Sequence, residues 1–396
     1  MPGLLIHGAR QVLTLRGANS PRRGTGLRNL AIIEDGSILI EDGKIRDVGP
    51  THRIENLAVA RSVRRISARG RVVMPGFVDS HVRLISGLDA STQVRTIRQT
   101  PAWRLAADAG AMLRRCLRYG TTTLEVKSGA ELDEVCALKV LKVVEGLSKD
   151  QPIHLISTFC GATAIPRGQE GEAHVEQLLA RLLPLIKAKK LADFVAMNHG
   201  VLTEQQCNAV RALAERLGMP VKFHADMPGA GVLPNATTAE HLEHVSREEI
   251  IRIADSATVA VLMPGFGFHV ENRNYAPARD LIARGVAVAL ASGYDRGVNP
   301  SFSMPITIAL ACRKLGMAPS EAIVAATLNG AYAVGRGEIT GSLEPGKNAD
   351  ILILETSDFR DLAYETGVNP VDITIVGGEV VCRNSVAYGL AAAAAG

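Results

Sequence analysis

Between residues 71 and 340 the chain repeats one pattern: a short apolar run, then a longer segment whose apolar residues recur at three- and four-residue spacing. Strands alternating with amphipathic helices look this way when the strands form a parallel sheet covered by helices. Eight runs are read: VVMPGFVDSH, TTTLEVKS, IHLISTFCG, DFVAMNH, VKFHAD, TAEHLEH, TVAVLMPG and VAVALASG. The segments AWRLAADAGAMLRRCLRYG, EAHVEQLLARLLPLIKAKK and TEQQCNAVRALAERLG carry the helical period between them. Strand–helix units in this number close naturally into a (β/α)8 barrel of the TIM type, so the predicted class is α/β, with reactive residues where the strands end. An open doubly wound sheet competes, but no GxGxxG follows the first run.

On either side the texture changes. Residues 1–70 alternate apolar and polar side chains in short runs, as in LLIHGARQVLTL and NLAIIEDGSILIEDGKIRDVG, with Gly, Asp and Asn at the turns. GSLEPGKNADILILE and VDITIVGGEVVCRN read the same way. Neither end supplies enough strands to stand alone, so residues 1–70 and 341–390 are expected to combine into one small β-sandwich domain beside a barrel of residues 71–340. The closing AAAAAG is expected to fray.

Composition narrows the classes. Of 396 residues, 47% are hydrophobic and 21% charged, which suits one large core with a smaller unit and does not suit disorder. The net charge of +4 is scattered, without the basic face that a nucleic-acid partner requires. The opening MPGLLIHGARQVLTL lacks the pattern of a leader and no run of about 18 apolar residues appears, so a cytoplasmic protein without membrane association is expected. Cys116, Cys136, Cys160, Cys207, Cys312 and Cys382 lie far apart without CxxC pairs, which predicts reduced, mostly buried thiols. Cys160 ends the third run, but small apolar filler is the simpler reading of a barrel cysteine.

Histidines end the runs. His81 ends the first, His199 the fourth, His224 the fifth, and His241 with His244 the sixth. Any one of them reads most simply as a hydrogen-bonded structural residue. Their joint placement at one barrel mouth makes a metal or acid–base site the expectation.

VVMPGFVDSH entering from a small β-domain, matched by the later GSLEPGKNADILIL, resembles the amidohydrolase superfamily over nearly the whole chain. GTTTLEVKSG at 120–129, HAD at 224–226, EHLEHVS at 240–246 and SMPITIALACRKLGMAPSEAIVAATLNGAYAVG at 303–335 resemble imidazolonepropionases in particular. The resemblance implies hydrolytic opening of a cyclic amide, that of imidazolonepropionate in histidine breakdown, with one zinc or iron ion. It implies metal ligation by His81 and His224, a water-assisting role for His241, a small-molecule substrate and, from the habit of relatives, a homodimer.

The same motifs show departures. Where the family pattern has His-x-His, this chain reads His81-Val82-Arg83, and a guanidinium cannot ligate a metal. Gly293 stands where an aspartate ligand is implied, with Asp295 two positions on; Met227 replaces the glutamate of HADE; Ala130 and Thr163 replace a tyrosine and a histidine of the substrate site; and the arginine expected in LISGLDAS is missing.

Three readings of this set stand. In one, His81 and His224, helped by His241 or His199, keep a metal, with Asp295 or Asp226 as base. In another the site is metal-free and Arg83 binds a carboxylate or polarises a carbonyl beside His224 and His241. In the third the protein binds a small ligand without catalysis. Arg83, Lys127, Thr163 and His199 are the substrate-binding candidates, His241 and Asp295 the catalytic ones. A carboxylated, metal-bridging Lys127 is disfavoured by the missing ligands. PGFGFHVENRNYAP is expected to form a loop over the mouth, with His269 or Arg273 reaching the ligand.

Overall fold

The computed structural model describes residues 3–17, 19–87, 90–225, 235–271 and 274–384. The N-terminal alternating runs form β1 (Leu4–Leu13), β2 (Ile32–Glu41), β3 (Lys44–Pro50), β4 (Arg64–Ser67) and β5 (Val72–Pro75). VVMPGFVDSH, read above as a single strand, is two: β5 joins the small sheet and β6 (Phe77–Arg83) opens the barrel. Pro75 ends the first ladder, having no N–H to give it. Gly76 then passes so near Thr122 that a Cβ on it would lie 2.1 Å from the hydroxyl oxygen. Only glycine permits that approach.

The remaining seven runs become β7 (Thr121–Lys127), β8 (His154–Ala162), β9 (Phe194–Met197), β10 (Val221–Ala225), β11 (Thr238–His241), β12 (Val259–Leu262) and β13 (Ala287–Leu290), each parallel to its neighbour. The two-residue β14 (Tyr294–Asp295) pairs with β6 and closes the ring. Across the same seam Ser292 N–H donates to Asp79 Oδ1 at 2.9 Å. The predicted eight-stranded α/β barrel is thus the observed one.

The helices lie where the 3.6-residue period puts them, at Ala102–Arg118 and Glu204–Arg216, for example, the second opened by a Thr203 capping box. EAHVEQLLARLLPLIKAKK is helical but widens into a π turn at Leu178–Leu182 just before Pro184, a residue that cannot donate to the regular ladder.

The chain returns through β15 (Ile351–Leu354), β16 (Val371–Val376) and β17 (Glu379–Arg383), giving the order β17-β16-β15-β5-β1-β2-β3 with β4 beside β1. The expected sandwich is one sheet rolled over a core that includes Ile6, Val12, Ile38, Val73, Ile351 and Ile373. Its two flanks meet where Ala349 N–H donates to Gly43 O. Strands from both terminal segments build this sheet, and residues 72–75 pair within it rather than within the barrel sheet. The AAAAAG end lies outside the described residues. All six cysteines are free, four of them buried. No helix among the described residues is long and apolar enough to cross a membrane.

His154 at the start of β8 pairs with Asp350 just before β15, at 3.2 Å, and that hydrogen bond raises its pKa above the ordinary imidazole value. A group whose folded pKa is raised stabilises the fold below its unfolded pKa and loses that contribution as pH rises through the folded one. His154 is therefore expected to titrate above 6.5 by NMR. Stability should fall slightly between pH 6 and 8, by less than about 1 kcal/mol because the ring is 39% exposed to screening water. His154→Gln should abolish that slope.

Candidate active site

Side-chain alternation stacks the barrel interior in layers. Asp79, His81 and Arg83 share the inward face of β6, Glu125 and Lys127 that of β7, Lys222 and His224 that of β10, Thr238 and Glu240 that of β11. Deepest, the Lys222 ammonium contacts Glu125, whose Oε1 also accepts the Thr158 hydroxyl at 2.6 Å, and it lies over the Phe194 ring. One layer up, Lys127 Nζ stands 2.9 Å from both Glu125 Oε1 and Glu240. These four side chains are fully buried. Two ammonium and two carboxylate groups balance, the condition on which a charged interior is tolerable.

Glu240 is the hub. Its Oε1 accepts from Lys127 Nζ and from Thr238 Oγ1, both at 2.9 Å, and its Oε2 lies 2.9 Å from His81 Nδ1 and 3.0 Å from His224 Nε2. The second of these approaches is not a hydrogen bond: His224 Nε2, although buried, has no hydrogen-bond partner among the described residues. Burial, assisted by the Lys127 charge, drives the His81 pKa well below the usual imidazole range; burial lowers that of His224 too, against the pull of Glu240. Both rings are thus neutral. Burial opposes ionisation of Glu240, but the Lys127 charge above all holds its pKa well below the usual carboxylate range.

His241 enters by a different route. On β11 it follows Glu240 and by alternation should face the helices. The backbone instead turns left-handed at His241 (φ 75°) and Leu242 (φ 68°), and the imidazole comes to the mouth, 5.5 Å from the His81 ring and 5.8 Å from that of His224. Phe266 packs edge-on against it at 5.2 Å.

Over this cluster lies a cavity of about 230 Å³. His81, Arg83, His241 and Asp295 give it one polar side; Met263, Phe266, Tyr294 and Val298 supply apolar walls. Arg83 turns its Nη1 toward Asp295 Oδ2 at 3.4 Å, while Asp295 Oδ1 accepts the Gly297 N–H. Gly293 could not carry the missing aspartate without strain, since its φ is +67° and a Cβ would press Met263 at 3.1–3.2 Å. A wider cleft of about 920 Å³ lies beyond Tyr294 along the helix Ala102–Arg118, but no histidine lines it.

The structure therefore brings together His81, His224, His241, Arg83 and Asp295. Lys127 lies beneath them, spent on two carboxylates. Thr163 donates its hydroxyl to Cys160 O. His199 packs against Phe223 at 4.9 Å, apart from the other three rings. His244 and His269 are exposed, and burial raises the Cys160 thiol pKa. Asp226, Met227 and Arg273 lie outside the described residues. Glu240, which sequence reading passed over, is the central carboxylate.

A family model described as the amidohydrolase family matches residues 72–381. The chain is 36% identical to the imidazolonepropionase of Chloroflexus aggregans, over 96% of its own length and 99% of that protein's. It is 33% identical to the imidazolonepropionase of Geobacillus kaustophilus, over 98% and 100%. Among solved structures, an E. coli guanine deaminase superposes with a TM-score of 0.76 at 18% identity, covering 97% of this chain and 100% of the other. Atrazine chlorohydrolase of Arthrobacter aurescens, complexed with zinc, gives the same score and identity over 96% and 95%. At such identity these two speak for the fold alone.

Proposed function

Since the chain belongs to the amidohydrolase family and is imidazolonepropionase-like within it, we propose that it hydrolyses a C–N bond of a cyclic or linear amide in the cavity above His81 and His224. One observation carries this reading: two buried imidazoles converge with a buried carboxylate beneath a cavity whose wall carries a third imidazole and a guanidinium.

The residues present fit a metal ion. His224 Nε2 is a buried nitrogen with no hydrogen-bond partner, and neutral imidazole is the form that ligates. His81 and His224 would hold zinc or iron, which when bound supplies Lewis acidity toward water and the amide carbonyl. The chain's own groups do the rest. His241 is placed to take a proton from the water as its oxygen adds to the carbonyl carbon and to return that proton to the nitrogen as the C–N bond breaks. Phe266, Met263, Tyr294 and Val298 exclude bulk water. Arg83, held only loosely by Asp295, offers its remaining N–H groups to a substrate carboxylate.

A second reading, a metal-free protein that binds a small anion through Arg83, is favoured by the fact that Lys127 already neutralises Glu240. The two part in one assay: metal content by elemental mass spectrometry, with ring opening of imidazolonepropionate and hydantoin followed in the ultraviolet. Turnover of either by metal-containing protein supports hydrolysis. A metal-loaded protein inert toward both, and toward linear amides, would sink it. Arg83→Ala is expected to raise KM for a carboxylate-bearing amide about 10- to 100-fold, the loss of a charge-assisted hydrogen bond. A neutral cyclic amide should hardly notice the change.

A further inference from the structure

We propose that the metal site of this chain is rebuilt around Glu240, which with His81 and His224 forms a two-histidine, one-glutamate set in place of donors lost at Arg83 and Gly293. The inference rests on the metal-bearing form of the reading above, but its evidence is geometric.

The three side chains offer ligand atoms that all lie within 4.8 Å of one another, and all three are buried. His224 and Glu240 are register partners on the adjacent parallel strands β10 and β11, so their side chains leave the sheet side by side toward the lumen. His81 comes from β6, across that lumen. Tetrahedral zinc with bonds of about 2.0–2.1 Å sets its ligand atoms about 3.3 Å apart. Glu240 Oε2 is 2.9 Å from His81 Nδ1 and 3.0 Å from His224 Nε2, so a small outward movement of each donor makes room for an ion.

The site also lacks something that an ion would supply. A carboxylate oxygen and an unpartnered imidazole nitrogen face each other at 3.0 Å without a hydrogen bond between them. If that nitrogen carries no proton, two lone pairs oppose each other in a dry interior. A cation between them converts the repulsion into two bonds.

The cations nearby are arranged compatibly. Lys127 Nζ stands 2.9 Å from both carboxylate oxygens of Glu240 and shares its charge with Glu125, so ligation by Oε2 requires the ammonium to settle on Oε1 alone. Arg83 is turned to Asp295. Two imidazoles and one monodentate carboxylate leave one position of a tetrahedron open, as a hydrolytic site needs. With nitrogen and oxygen donors and no thiolate, the set suits zinc or ferrous iron.

Zinc affinity of chelator-stripped protein, by competition with a chromophoric chelator, tests this. Wild type should take up one Zn²⁺ per chain, and Glu240→Gln should weaken binding at least 100-fold while keeping its near-ultraviolet circular dichroism. Unchanged affinity in Glu240→Gln, or no Zn²⁺ uptake by wild type, overturns the proposal. Should Glu240→Gln fail to fold, anomalous diffraction from wild-type crystals soaked in Zn²⁺ decides: a peak within about 2.2 Å of Glu240 Oε2 is expected, and a peak elsewhere refutes it. Zinc held by Glu240 in a protein without amide turnover would defeat the hydrolase reading and leave the site standing. Turnover by zinc-free, iron-free protein would do the reverse.

Discussion

His241→Ala is expected to lower kcat for amide hydrolysis by about 10²–10⁴-fold, the usual contribution of a placed acid–base group, with KM within a few-fold of wild type. His241 forms part of the cavity wall but is not in the proposed donor set, so its loss should remove proton transfer and spare metal content. Its placement is built in: two consecutive left-handed residues turn the ring toward the mouth, and Phe266 braces it. Steady-state kinetics together with elemental analysis check the result. A variant that keeps its metal and its kcat would show that the proton reaches the departing nitrogen by another route.

Lys222→Met should lower folding stability by about 3–5 kcal/mol, the range for breaking one side of a buried ion pair, read from urea unfolding. Methionine nearly matches lysine in volume and can still pack on Phe194, so the loss reports charge. Without Lys222, the carboxylates of Glu125 and Glu240 share one ammonium, that of Lys127, in a closed interior. Adding Glu125→Gln restores the balance of one to one. The double variant should recover more than half of the loss. If it is as unstable as the single one, packing rather than charge explains the effect.

The barrel was legible because its period is. Eight apolar runs spaced by helical segments admit few closed arrangements, and His81, His224 and His241 could be read as strand-end residues. What a run cannot show is which face each residue takes, because a one-residue shift of register reverses every side chain. His199 ends the fourth apolar run, but β9 stops at Met197 and His199 falls in the turn beyond it, where its ring meets Phe223 rather than the other imidazoles. Glu240 was passed over for the complementary reason. Beside His241 in TAEHLEH it looks like an ordinary polar residue, and only the pairing of β11 with β10 sets it against His224. The division of VVMPGFVDSH was signalled by Pro75-Gly76, a strong breaker inside an apolar run.

The rolled sheet sets a timetable for synthesis. Val72 in β5 pairs with Leu354 in β15, about 280 residues later in the chain. At about 5–20 residues per second, a ribosome takes roughly a quarter of a minute to a minute to deliver that partner. Throughout that interval β1, β2 and β5 can assemble, but one edge of β5, carrying Val72, Val73 and Met74, stays open to any strand that meets it. The nascent chain is therefore exposed to aggregation at its small sheet for that interval, and conditions that slow elongation lengthen the exposure.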